Sequence, residues 1–121
     1  MSTFDNAVSI HPYFQIKDEN MEAAKTAIAG FCDLVKSNEP DCLFYNFTFM
    51  GNAMCCREAY KDAAAVLAHL ENCGPALGKF LEIAELTRIE FHGPAAELDK
   101  LKDAVAGMNP DYFVSECGIG N

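Results

Sequence analysis

The sequence predicts an α+β domain in which helices cover one face of a single sheet, in the order β-α-β-β-α-β with an α-β extension. Three observations carry that expectation. Runs with an apolar period of two alternate along the chain with runs of period three to four. A Gly51-Asn52 turn joins two strand-like runs directly, as in a hairpin. Half of the 121 residues are apolar, enough for one core and too few for two, so residues 1–121 are read as a single domain.

Across residues 7–16, Val8, Ile10, Pro12, Phe14 and Ile16 alternate with Ser9, His11, Tyr13 and Gln15, which gives a first strand. Pro12 has no N–H for a ladder, so this strand is expected at an edge or bulged. Asp18 is placed to cap a helix whose Met21, Ala24, Ile28, Phe31 and Val35 form one stripe, ending near residues 38–40. In residues 42–50 both alternating sets, Leu43/Tyr45/Phe47/Phe49 and Phe44/Asn46/Thr48/Met50, are largely apolar, which predicts a strand covered on both faces. Residues 54–60 form its hairpin partner.

Asp62 then starts a short alanine-rich helix with Val66, Leu67 and Leu70 inward. Asn72-Cys73-Gly74-Pro75 is expected to interrupt it before Ala76, Leu77, Phe80 and Leu81 add a further turn or two. Residues 86–92 alternate again as a fourth strand, with Thr87, Ile89 and Phe91 opposed to Arg88, Glu90 and His92. Pro94 opens a last helix with a Leu98, Leu101, Val105 and Met108 stripe and Gly107 near its end, and residues 111–117 give a final strand. The whole is the split β-α-β pattern of a ferredoxin-like sandwich with a C-terminal extension.

Such a sheet has helices on one side only. The second strand nevertheless offers no polar face, and the third presents Cys55, Cys56, Ala59 and Tyr60 to both sides. An identical sheet from a second subunit is the simplest cover, so a homodimer is expected.

The formal net charge of -9, spread along the chain, excludes nucleic acid and anionic membrane surfaces as expected partners. No apolar run is long enough for a membrane helix and the first residues lack the pattern of a signal peptide, so a cytoplasmic location is expected. The six cysteines form no C-x-x-C pair and are read as reduced thiols; no Cys/His spacing supports zinc, and no metal is expected. Asn46-Phe47-Thr48 matches a glycosylation sequon by chance, and Gly118 and Gly120 open no helix, so no nucleotide cofactor is expected.

One stretch looks like chemistry. Between Arg57 and His69 a strand end, an Asp cap and a helix start bring the carboxylate of Glu58, the phenol of Tyr60 and the imidazole of His69 into one unit. Glu58-Ala59-Tyr60, Asp62-Ala63-Ala64-Ala65 and His69, following Gly51-Asn52 and a strand with Tyr45, resemble the antibiotic biosynthesis monooxygenase family, from the first strand through Glu90.

The resemblance implies a dimeric α/β barrel of ferredoxin-like subunits. It also implies cofactor-independent oxygenation of a small apolar or aromatic molecule, phenol- or quinol-like, in a pocket of each subunit. In that reading His69 takes the substrate proton, Tyr60 or Asn46 donates to the substrate oxygen, and Glu58 orients the imidazole. His11, Tyr13 and Arg88 are further candidates for substrate binding. The chain has no tryptophan, which departs from relatives acting on haem or large polyketides.

Each residue has a plainer alternative. His69 sits on a helix surface, Tyr60 is a core ring, and Glu58 pairs with a lysine or with Arg88 across the sheet. Asn46 bonds to backbone or across strands, His11 and Tyr13 lie exposed near Pro12, and Arg88, Glu90 and His92 form a charge ladder. The corresponding alternative for the whole is a non-enzymatic dimeric ligand-binding or structural module.

Overall fold

A computed structural model describes residues 4–120; Met1–Thr3 and Asn121, at the ends of the terminal stretches read above, lie outside the described residues. The elements are β1 (Val8–Gln15), α1 (Met21–Asn38), β2 (Cys42–Met50), β3 (Ala53–Tyr60), α2 (Ala63–Phe80), β4 (Glu85–Gly93), two short helices α3 (Ala95–Asp99) and α4 (Lys102–Val105), and β5 (Asp111–Val114). One sheet runs in the order β2-β3-β1-β4-β5, antiparallel except for the parallel β4/β5 pair. This is the α+β, ferredoxin-like arrangement with a C-terminal α-β extension. The sheet of one chain is open. No helix among the described residues is long and apolar enough to cross a membrane.

β1 is central rather than at an edge, so of the two expectations for Pro12 it is the local irregularity that is found. Pro12 is tolerated because the ladder to β3 lapses at His11 and Pro12, between Ile10↔Glu58 and Tyr13↔Cys55, while the ladder to β4 shifts register one step later, between Tyr13 and Phe14. The missing N–H thus falls where no ladder bond is required of it. The β2–β3 hairpin closes through Gly51-Asn52, with Gly51 at φ 56°, the left-handed value that a two-residue hairpin wants at its first central position.

Asp18 does not cap α1. It lies in a 3-10 turn and its carboxylate instead accepts the Asn52 amide at 2.7 Å, tying the helix start to the hairpin. Asp62 does cap α2, its Oδ1 accepting Ala65 N–H at 2.9 Å. α2 then runs unbroken for 18 residues with Pro75 inside, so the expected interruption at residues 72–75 does not occur. One backbone bond is lost at the proline, and the burial of Cys73 and Phe80 on either side of it holds the helix against the sheet. Leu67, expected inward, is exposed, whereas Val66 and His69 are buried.

The stripe of Leu98, Leu101 and Val105 is buried as expected, but the segment is broken into short pieces rather than one helix. Gly107 lies near the end of the segment as expected, and Asn109, at φ 50°, takes the left-handed position that closes it.

The apolar sets of β1, β3 and β4 face α1 and α2. Ile10, Tyr60, Val66 and Phe91 centre one half of the core; Phe14, Phe31, Met54 and Phe80 centre the other, with Phe80 packed edge-on against both Phe14 and Phe31. On the opposite face Phe44 is 49% exposed and Met50 81%, so β2 is covered on one side only within a single chain.

Candidate functional site

Glu58 and Tyr60 are two apart on β3 and therefore point the same way, toward the helices. His69, in the second turn of α2, comes down over them. The Tyr60 hydroxyl donates to Glu58 Oε1 at 2.6 Å, and the same oxygen lies 3.3 Å from His69 Nε2. The structure brings these three candidates together, all buried.

A residue that the sequence reading missed completes the group. Glu39, just past the end of α1, is buried and accepts His69 Nδ1–H at 3.0 Å through Oε1 and 3.1 Å through Oε2. Its Oε2 also accepts Asn72 Nδ2–H at 2.7 Å and the Cys73 thiol at 3.7 Å. A signal for it existed. A carboxylate at a helix C-terminus opposes the helix dipole and persists there only with donors around it. Asn72, read as a helix breaker, is one of those donors and also bonds the Leu34 carbonyl at 3.1 Å.

This polar group opens on an apolar cavity of about 70 Å3 between the sheet and α2. Phe14, Phe31, Phe47, Phe80 and Ile89 are among its walls, with Glu58, His69, Tyr45, Cys56 and Cys73 as the ionisable groups. Tyr45 meets the imidazole edge-on, ring centroids 5.5 Å apart, and Tyr60 lies against it at 4.9 Å. Burial pushes Glu58 above the ordinary carboxyl range, more than His69 and the Tyr60 hydroxyl pull it down. Burial and the nearby Glu58 raise Tyr60 and Tyr45, so both phenols are donors rather than anions. Burial and Glu39 push the Cys73 thiol up to about 12.

His11, Tyr13, Asn46 and Arg88 lie on the other face of the sheet, away from this cavity. His11 Nε2 is 2.9 Å from Ser9 Oγ and its ring meets His92 at 4.6 Å. Arg88 Nε donates to Glu90 Oε2 at 2.7 Å and its Nη2 is 3.3 Å from Asp111, while His92 Nε2 is 2.9 Å from Glu90 Oε1. That is a charge ladder, and Arg88 belongs to it rather than to Glu58. Asn46 is exposed opposite Arg57.

No protein-family model matches the sequence, and no curated protein matches it. Solved structures do. MupZ from Pseudomonas fluorescens superposes with a TM-score of 0.91 and 37% identity over 96% of this chain and 95% of its own. A candidate antibiotic biosynthesis monooxygenase from Caulobacter crescentus has a TM-score of 0.66 and 18% identity over 73% of this chain and 89% of its own. Another, from Chloroflexus aurantiacus, has a TM-score of 0.61 and 14% identity over 95% of this chain and 100% of its own. The chain therefore belongs to the family of MupZ, and its fold is that of the antibiotic biosynthesis monooxygenases.

Proposed function

We propose that the protein is a cofactor-independent, monooxygenase-like enzyme that acts on a small, largely apolar, phenol- or quinol-like molecule in the pocket of each subunit of a homodimer. The observation that supports this reading is the imidazole of His69 held between two buried carboxyl groups at the edge of an otherwise apolar cavity. Donation from Nδ1 to Glu39 fixes the tautomer and leaves the Nε2 lone pair facing Glu58 and the cavity, as a carboxylate orients a catalytic imidazole.

A substrate O–H passes its proton to Nε2, and the imidazolium is stabilised by Glu39. The resulting anion carries charge onto a ring carbon that bears hydrogen and reduces dioxygen there. A C–O bond forms, the imidazolium returns its proton to the peroxide anion, and the hydroperoxide loses its distal OH with the hydrogen of that carbon as water, leaving a carbonyl. The apolar walls suit that step because they keep water from the anion. At 70 Å3 the cavity is about half the roughly 150 Å3 that admits benzene. It therefore takes one reactive ring edge rather than a whole ring.

A second reading rests on Glu58, whose carboxyl oxygen lies 3.3 Å from Nε2 and whose burial favours its protonated form over that of an ordinary carboxyl. The same pair then serves a redox-neutral proton transfer, an isomerisation for instance. Oxygen uptake with a panel of phenols and quinols, run in parallel with solvent-deuterium incorporation, separates the two. Oxygen uptake that disappears in His69→Ala supports the first; deuterium entering product without oxygen uptake supports the second. Ligand binding with neither signal sinks both and leaves a non-enzymatic binding module.

A further inference from the structure

Three ligand atoms of different chemistry converge where the end of α1 meets the middle of α2. His69 Nδ1, a Glu39 carboxylate oxygen and Cys73 Sγ all lie within 4.8 Å of one another, and all three residues are buried. His69 and Cys73 are four apart and share a face of α2, while Glu39 is supplied from α1. We propose that Glu39, His69 and Cys73 form a binding site for one divalent transition-metal ion of borderline softness, such as zinc or cobalt, with a fourth position open to the cavity.

The donor set selects the ion. Thiolate and imidazole suit zinc and cobalt, whereas magnesium and calcium require oxygen ligands. The spacings to one shared oxygen suit it as well: Glu39 Oε2 lies 3.1 Å from His69 Nδ1 and 3.7 Å from Cys73 Sγ. These bracket the about 3.3–3.5 Å expected between ligands of a tetrahedral ion at zinc bond lengths.

The surroundings provide an independent sign. A metal-bound histidine commonly gives its other ring N–H to a carboxylate, and Nε2 is 3.3 Å from Glu58 Oε1. Asn72 holds the Glu39 carboxylate from behind at 2.7 Å. Glu39 also borders an outer cleft with Asp41, Cys42 and Asp62, the side from which an ion would approach.

Protons balance. The ion replaces the thiol proton of Cys73, which leaves to solvent, and the imidazole proton moves from Nδ1 to Nε2, toward Glu58. One proton is released per ion, so binding tightens as pH rises. The site stands on geometry alone, but its consequence rests on the proposed function: an ion on Nδ1 ties up the imidazole that would act as base, and bound metal inhibits.

The test uses chelator-treated protein carrying Cys32→Ser and Cys117→Ser, which removes the two exposed thiols, titrated with cobalt(II) chloride. The expected result is one ion per chain, tetrahedral visible bands and a sulfur-to-cobalt charge-transfer band, with zinc displacing cobalt. Cys73→Ser, with its fold checked by circular dichroism, loses the charge-transfer band. Glu58→Gln keeps the band and binds about 10–100-fold more weakly. If Cys73→Ser does not fold, Cys73→Ala is the second route to the same loss. No band in the parent protein, or a band that survives removal of Cys73, overturns the proposal. The readout needs no turnover, so failure to bind metal leaves the oxygen chemistry standing, and failure of turnover leaves the metal site standing.

Discussion

Replacing Glu39 with alanine takes the acceptor away from three donors at once, His69 and Cys73 buried and Asn72 half-buried. The His69 imidazole N–H and the Asn72 amide N–H are the strong ones, at 3.0 and 2.7 Å, and the Cys73 thiol at 3.7 Å adds little. Each strong donor left without a partner costs about 1–3 kcal/mol. Relief of the desolvation of the carboxyl group itself offsets part of the sum, leaving a net loss of about 3 kcal/mol. For a domain of this size that lowers the Tm by about 12 °C. Thermal and urea unfolding of Glu39→Ala measure it, with Asp99→Ala as a control whose Lys102 partner is half in solvent and whose Tm is expected to stay in place. A loss under about 1 kcal/mol would show that water reaches the donors. The claim that a dry carboxylate holds the imidazole in one tautomer would then fail.

Other outcomes follow from the same contacts. Tyr60→Phe keeps the ring and loses the 2.6 Å bond to Glu58, costing about 1–2 kcal/mol by urea unfolding, and it moves the Glu58 titration further up because that bond pulls it down. Burial raises Glu58, so the folded chain holds a proton that the unfolded chain releases near the ordinary value of 4.5. The stability from the neutral form is whole below that pH and is lost as pH climbs through the raised value. Glu58→Gln is therefore expected to gain Tm over the wild type increasingly above the ordinary carboxyl range; parallel Tm–pH curves would contradict this. On the open face, Phe44→Glu with Phe113→Glu is expected to turn a dimer into a monomer in sedimentation experiments. A wild type that is monomeric at high concentration removes the dimer.

The sheet was legible because its signals are local. The period-two runs, Gly51-Asn52 and the Asp62 cap each act over a few residues; the inward set of β1 and Ile89 and Phe91 of β4 came out as their alternation indicated, whereas Thr87 is exposed and Leu86 packs on the core where the β1/β4 ladder shifts register. Pro75 misled because propensity describes an isolated helix, while Cys73 and Phe80 anchor both halves of α2 to the core. Glu58, Tyr60 and His69 could be grouped because they lie within 12 residues of one another. Glu39 is 30 residues from His69, and only the packing of α1 on α2 makes them neighbours. Strand parity turns His11, Tyr13, Asn46 and Arg88 to the helix-free face, so they are separated from the cavity that holds His69 by the sheet itself.

The position of β1 has a kinetic consequence. It precedes every other element in sequence yet lies in the middle of the sheet, where Gln15 must meet both Ala53 and Glu85, and Ser9 must meet His92. Neither neighbour is adjacent in the chain, so both ladders close large loops before the contacts reward them. Refolding should accordingly be slow for a chain this short, and until β4 arrives β1 leaves a raw strand edge on which another molecule can template.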